Sequence, residues 1–202
     1  MNINPLSFGQ NHIKSAYIKN NQTGKKEKVN FVQYEYGFYD MVRIHNTIQN
    51  WREDPKNRYG ERIYKDYMQG YMKGDYNKSF YGLEDENENI LGLIETNSEM
   101  ENINLEDEMP QSYKPFELTY FCTNPDTVYG ADKRKYSKVG TVMLSETIKE
   151  AKRQNADYIA LFNADRKFWD TIPCFRSYMS DCVKILEADK FDTCARELDK
   201  RV

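Results

Sequence analysis

The stretch KRKYSKVGTVMLSETIKEAKRQNADYIALFNA (133–164) decides the fold. Thr141, Leu144, Ile148 and Ala151 recur at helical spacing on one face. Asn155 suits the left-handed cap that closes such a helix. DYIALFN (157–163) is a short apolar run with the look of a buried strand, and FELTYFCT (116–123) upstream is an aromatic-rich strand. Strand, helix and strand in that order form parallel neighbours joined by a crossover. The helix begins at a cationic, hydroxyl-bearing turn containing Lys135, Ser137, Lys138 and Gly140. A helix amino terminus presents unpaired N–H groups and about half a positive charge. The turn is therefore either a phosphate cradle or a solvated basic loop that caps a helix.

Outward from this unit, KSAYIKNNQTGKKEKVNFVQYEY (14–36) reads as strand, turn and strand. In GFYDMVRIHNTIQNW (37–51), Met41, Ile44, Ile48 and Trp51 share a helical face, with Asp40 in the first turn. ERIYKDYMQGYMK (61–73) carries a broad apolar face and is a second helix. SFYGLEDENENILGLIETN (79–97) is a hairpin around the polar turn 85–89. Residues 97–112 form an acidic loop and 124–138 a long loop. Beyond Ala164 no single period holds, although ADKFDTCARELDKRV (188–202) reads as a terminal helix. The expected order is β-β-α-α-β-β-β-α-β and a mixed tail. No internal repeat or interdomain linker interrupts it.

The 202 residues suit one domain (1–202), with 1–28 an N-terminal extension or hairpin strand and 176–202 a tail that completes the fold. At 39% hydrophobic and 30% charged residues, the chain is globular rather than disordered. A net charge of −3 argues against nucleic acid as a partner. Cys122, Cys174, Cys182 and Cys194 form no C-x-x-C pair, and His12 and His45 are the two histidines, so no metal site is expected. No run approaches a membrane span, and the amino terminus has no apolar signal core. The chain reads as a reduced, cytoplasmic protein whose cysteines are mostly buried thiols. Monomer and homodimer both fit.

Four segments resemble the GNAT superfamily of N-acetyltransferases, over about residues 29–175. Ile90-Leu-Gly-Leu-Ile94 is similar to one strand of the family's early hairpin. FELTYFCTNP (116–125) resembles the strand that runs into the acetyl-CoA site. KYSKVG (135–140) stands where the family has (Arg/Gln)-x-x-Gly-x-(Gly/Ala). NADRKFWDTIPCF (163–175) resembles the segment after the next strand. The chain departs from the pattern: Lys135 replaces Arg or Gln, Lys138 stands at the first glycine, and Cys174 replaces a later one. The family's Phe-Tyr pair falls on Trp169-Asp170, so the tyrosine that often serves as general acid is missing there.

The resemblance implies an α/β (α+β) fold: a mixed, mostly antiparallel sheet with a splayed parallel strand pair and flanking helices. It implies acetyl-CoA as cosubstrate, no metal, and direct transfer of acetyl to a primary amine. The coenzyme would meet Phe121, Cys122 and Thr123 at the strand end, Lys135, Ser137, Lys138, Val139, Gly140 and Thr141 at the turn, and Asn163. Glu117 is the candidate base, with an outward-facing strand glutamate as its plain alternative. Asp170 occupies the acid's place, but needs burial to raise its pKa. Tyr129 or Tyr136 could donate instead. His45 reads as structural. Residues 79–112 hold ten carboxylates and no Lys or Arg: Glu84, Asp85, Glu86, Glu88, Glu95, Glu99, Glu101, Glu106, Asp107 and Glu108. They form either a negative rim that steers a cationic amine, small molecule or protein, or a solvated loop. Two other readings stay open: a catalytically inactive GNAT-fold module that binds coenzyme A or a partner, and an acyltransferase using a longer acyl donor or an aminoacyl-tRNA.

Overall fold

The computed structural model describes residues 10–51, 58–74, 77–98, 113–125, 134–163, 166–178 and 181–202. Two hairpin strands, β1 (Gln10–Asn20) and β2 (Lys26–Tyr34), lead to α1 (Phe38–Trp51) and α2 (Arg58–Lys73). The strands β3 (Lys78–Asp85), β4 (Ile90–Asn97) and β5 (Pro115–Thr123) follow. A two-residue strand, β6 (Tyr136–Ser137), precedes α3 (Val139–Arg153). Then come β7 (Tyr158–Phe162), the short α4 (Arg166–Trp169), β8 (Arg176–Tyr178), β9 (Val183–Glu187) and α5 (Phe191–Asp199).

The strands form one nine-stranded sheet in the order β6-β1-β2-β3-β4-β5-β7-β9-β8. Among its described pairs only β5 and β7 run parallel, as the strand–helix–strand order requires. The expected hairpins, both early helices and the crossover helix are all present. Four elements go beyond the sequence reading, one of them the short helix α4 after β7. β6 lies in the stretch read as loop and pairs with the end of β1, and β8 and β9 form an antiparallel pair in the tail.

Each face of the sheet has its own core. α1 and α2 place Ile44, Ile48, Trp51, Ile63 and Tyr67 against Val32, Phe80, Leu93 and Cys122. α3 and α5 place Val142, Leu144, Ile148, Cys194 and Leu198 against Phe31, Ile94, Leu118 and Ile159. Because the sheet covers one side of α3 and α5 the other, α3 is buried around most of its circumference from Val142 to Thr147. Its end follows the left-handed rule: Asn155 has φ 55°, and Ala156 N–H reaches back to Ala151 O at 3.0 Å.

A polar network ties α1 to the sheet. The Tyr34 hydroxyl donates to Glu84 Oε1 at 2.7 Å, and Arg43 donates to the same oxygen at 2.9 Å. Burial pushes the nearby Asp40 carboxyl up to about 7, against the pull of Arg43. This arrangement needs a glycine at 82, since a Cβ there would lie 2.3 Å from the Tyr34 hydroxyl. Gly82→Ala should therefore displace Tyr34 and cost about 1–3 kcal/mol of stability, read from urea unfolding. An unchanged midpoint would refute this close packing.

Candidate functional site

The parallel pairing of β5 and β7 is short. It runs from Pro115↔Tyr158 to Leu118↔Leu161, while β5 continues to Thr123. Immediately after Leu118 the β4–β5 register slips: Glu95 faces Tyr120 and Thr96 faces Leu118, leaving Thr119 as an extra residue. Such a bulge bends a strand and disrupts its ladder locally. The two strands thus separate into a wedge at their carboxyl ends, where the sequence placed it. Phe121, Cys122 and Thr123 lie on β5 beyond the last parallel pair, and Asn163 follows β7.

The amino terminus of α3 is close to this wedge. A Cβ added to Gly140 would lie 3.4 Å from Phe168 and 3.5 Å from Phe121. Lys138, the N-cap residue, makes no side-chain capping bond, and among the described residues the Val142 N–H, bonded to Lys138 O at 3.1 Å, follows the three leading amides of Val139, Gly140 and Thr141. Lys138 has φ 63° and ψ 28°, the left-handed region. An L residue there costs roughly 1–2 kcal/mol and glycine nearly nothing, so the residue that departs from the family pattern occupies the backbone conformation that favours glycine. Its ammonium donates to the Arg201 carbonyl, which brings the chain's end beside the turn.

The other expected cofactor contacts divide. Ser137 pairs with Lys19 as part of β6, and Thr141 opens α3 half-buried. Lys135 is oriented differently: its ammonium lies 4.6 Å over the Tyr136 ring and 4.0 Å from Asp85. Tyr136 donates its hydroxyl to Glu27 at 2.9 Å and is committed there. Asn163 donates to Asp181 O at 3.1 Å, while its buried Oδ1 has no hydrogen bond among the described residues. An uncapped helix terminus and an open amide oxygen suit a ligand that carries phosphates and N–H groups.

Two expectations need correction. Asp170 is exposed, and Lys184 at 2.9 Å holds its carboxyl below the usual aspartate value. It is ionised at neutral pH and has no proton to give. The neighbouring Trp169 faces inward, with its ring centroid 5.6 Å from that of Phe121 and 4.8 Å from that of Phe168. The negative rim also changes. Glu84, Asp85 and Glu95 are buried, and among the described members of that group only Glu86 and Glu88 are exposed. The other five, like Tyr129, lie outside the described residues.

Glu117 is buried on the α1/α2 side of the sheet, opposite Asn97. The bulge puts Tyr120 on that same side, whereas Leu118 and Phe121 face α3. On the same sheet face as Glu117 is Glu95, which the sequence reading placed in the acidic rim, and with it Lys78 and Asp66, which that reading missed. Lys78 Nζ is 2.9 Å from Glu95 Oε1 and 2.7 Å from Asp66 Oδ2. The readable signal was Glu95 itself, a carboxylate in a strand that otherwise reads as buried. His45 packs its ring 4.8 Å from Tyr64, consistent with a structural role. Among the described residues no His, Cys, Asp and Glu group could hold a metal, and no helix is long and apolar enough to cross a membrane.

Of the cysteines, Cys122 and Cys194 are buried, Cys174 is half-buried and Cys182 is exposed. Burial pushes the Cys122 thiol up to about 12, far from a reactive thiolate. Brief iodoacetamide treatment of the folded protein at pH 8 should label Cys182 and spare Cys122, read by peptide mass. Labelling of Cys122 at a similar rate would contradict its burial.

No family model and no curated protein matches the sequence. Solved structures do match the fold. A putative acetyltransferase from Exiguobacterium sp. 255-15 aligns with a TM-score of 0.54 at 10% identity, covering 82% of this chain and 97% of that one. A chimera of the spermidine N-acetyltransferase SpeG from Vibrio cholerae and hSSAT aligns at 0.51 and 12% identity, covering 82% and 98%. A mutant form of the same Vibrio cholerae enzyme aligns at 0.50 and 15%, covering 81% and 95%. The chain has the fold of the GNAT acetyltransferases.

Proposed function

We propose, starting from this GNAT fold, that the chain is an acetyl-CoA-dependent N-acetyltransferase that moves acetyl directly onto a cationic primary amine. The observation that carries the reading is the four-residue parallel pair that opens into a wedge beside an uncapped helix terminus. The amides of Val139, Gly140 and Thr141 would take the pyrophosphate, with Ser137 and Thr141 as hydroxyl donors and Lys138 as nearby charge. The pantetheine arm would pass Phe121, Cys122 and Thr123 towards Asn163. On β5, backbone groups beyond Leu118 are no longer paired with β7 and are suited to bind the arm and polarise the thioester carbonyl. A cytoplasmic, metal-independent enzyme fits these features, and spermidine, the substrate named for two neighbours, belongs in the first amine panel.

A lysine-type amine has pKa about 10.4, so deprotonation at pH 7 costs roughly 4–5 kcal/mol. Glu117, buried opposite Asn97, is the residue assigned to take that proton, directly or through water. Direct transfer is favoured over an acetyl-cysteine because burial raises the Cys122 pKa, and neither His12 nor His45 bonds to a cysteine among the described residues. A second reading, a binding module without turnover, draws on Phe121 and Phe168, whose rings cover Gly140 at the wedge. Product formation separates the two.

Two variants and one control test the assignment. Gly140→Glu puts a negative charge at the phosphate position, and should abolish stabilisation by acetyl-CoA. Gly140→Ala fits the available space and should fold normally as a control. Unchanged binding by folded Gly140→Glu, or no thermal shift of the wild type with millimolar acetyl-CoA, overturns the coenzyme site. Glu117→Gln should lower turnover by about 10²–10⁴-fold at neutral pH, with coenzyme affinity nearly unchanged. Raising the pH should partly restore the rate, because more of the amine is then already neutral. Full activity in the folded variant removes Glu117 from the mechanism.

A further inference from the structure

This inference rests on the amine-acetylation reading. An acceptor that arrives as an ammonium loses two protons per turnover. As the N–C bond forms and the C–S bond breaks, one proton ends on the leaving thiolate, giving free thiol, and the other must reach solvent. Glu117 is only 1% exposed and does not open directly to solvent.

Next to it on the same sheet face is Glu95, 0% exposed, opposite Tyr120 and two residues along β4 from Asn97, the cross-strand neighbour of Glu117. Direct and diagonal neighbours on one sheet face stand about 5–8 Å apart, within reach of long side chains. From Glu95 a continuous polar path leads outward. Its carboxyl neighbours that of Asp66 on α2, and Lys78 Nζ bridges the two, at 2.9 Å from Glu95 and 2.7 Å from Asp66. The Asp66 side chain is 20% exposed and lines a small cleft of about 70 Å³ with Tyr36, Gln69, Lys73 and Asn77.

We propose that Glu95 is the proton conduit of this site, passing the acceptor's second proton from Glu117 to Asp66 at the cleft. Lys78 holds the two carboxyls together and remains charged throughout. The charged groups that act on Glu95 are Lys78 from β3 and Asp66 from α2; Tyr120 stands opposite it on β5 with Arg62 of α2 acting on that tyrosine, and Glu117 lies diagonally across the β4–β5 pair. Burial lifts the Glu95 carboxyl to about 8 against the pull of Lys78, so near neutral pH it can both accept and release a proton. A purely structural ion pair would need only Lys78 and one acid; here a second acid continues the path to the surface.

The test is steady-state acetylation of spermidine and of ethylamine by wild type, Glu95→Gln and Asp66→Asn across pH. Both substitutions keep side-chain shape and remove the titrating group. Each should lower kcat about 10–100-fold, at or below the low end for a proton-transfer group, while the KM for acetyl-CoA stays the same. Added imidazole, a diffusible proton acceptor, should restore much of the rate in Asp66→Asn, whose defect lies at the exposed end. The pH–rate profile of Glu95→Gln should lose a limb near neutrality. Wild-type rates and profiles in both variants overturn the conduit and leave the acetyltransferase reading intact. So does a loss that imidazole does not repair and that follows a fall in Tm. If Glu95→Gln fails to fold, Asp66→Asn decides alone. A wild type inactive on both amines overturns the acetyltransferase assignment for this acceptor class, and the conduit with it.

Discussion

One bulged residue organises the site. Three positions apart on a regular strand, Glu117 and Tyr120 would point to opposite faces of the sheet. The extra residue at Thr119 brings both to the α1/α2 face and sends Leu118 and Phe121 together towards α3. The same bulge lies where the pairing of β5 with β7 stops. A single backbone irregularity therefore separates an acid-bearing face from a ligand wedge on one strand. The crossover helix α3, required because β5 and β7 are parallel, contributes its uncapped terminus beside that wedge.

Burial gives the carboxylates of this protein opposite characters. Asp170 sits in solvent against Lys184 and is held ionised. Asp40 and Glu95 are enclosed between helices and sheet, and desolvation raises both despite a nearby cation. Glu84 is raised as well, with Arg43 and Tyr34 opposing the effect of burial. These buried acids form two separate networks, one anchored on α1 through Arg43 and one on α2 through Asp66. The α2 network adjoins Glu117, and that adjacency makes it relevant to proton movement.

The aromatic group at the wedge has a comparable dual character. Phe121, Phe168 and Trp169 pack on one another, and Trp169 also approaches Phe175 at 6.0 Å. The group joins β5 to the segment after β7 just where the two strands diverge, and so takes over the contacts that strand pairing no longer supplies. Phe168 and Phe121 are only partly buried and border Gly140, so the same rings that brace the wedge also form its wall towards α3.

Local chemistry determined the elements that could be read from the chain alone. The 3.6 period of Leu144, Ile148 and Ala151, the cap at Asn155, the polar hairpin turn at 85–89 and the strand–helix–strand order each arise from neighbours in sequence. They were sufficient for α3, for the hairpins and for the parallel pair. Tertiary structure decided the rest, because those features depend on partners far along the chain. β6 is a strand only because β1 lies beside it, and Lys135 turns to Asp85 rather than to the helix terminus. A run of acidic residues looks like a solvated rim until α1 and α2 cover one face of the sheet, burying Glu84 and Glu95. Asp66, Lys78 and Glu95 are distant in sequence and meet because α2 packs across the sheet at β4 and β5. Charge along a chain has no inside or outside, and only packing against the sheet supplies that distinction.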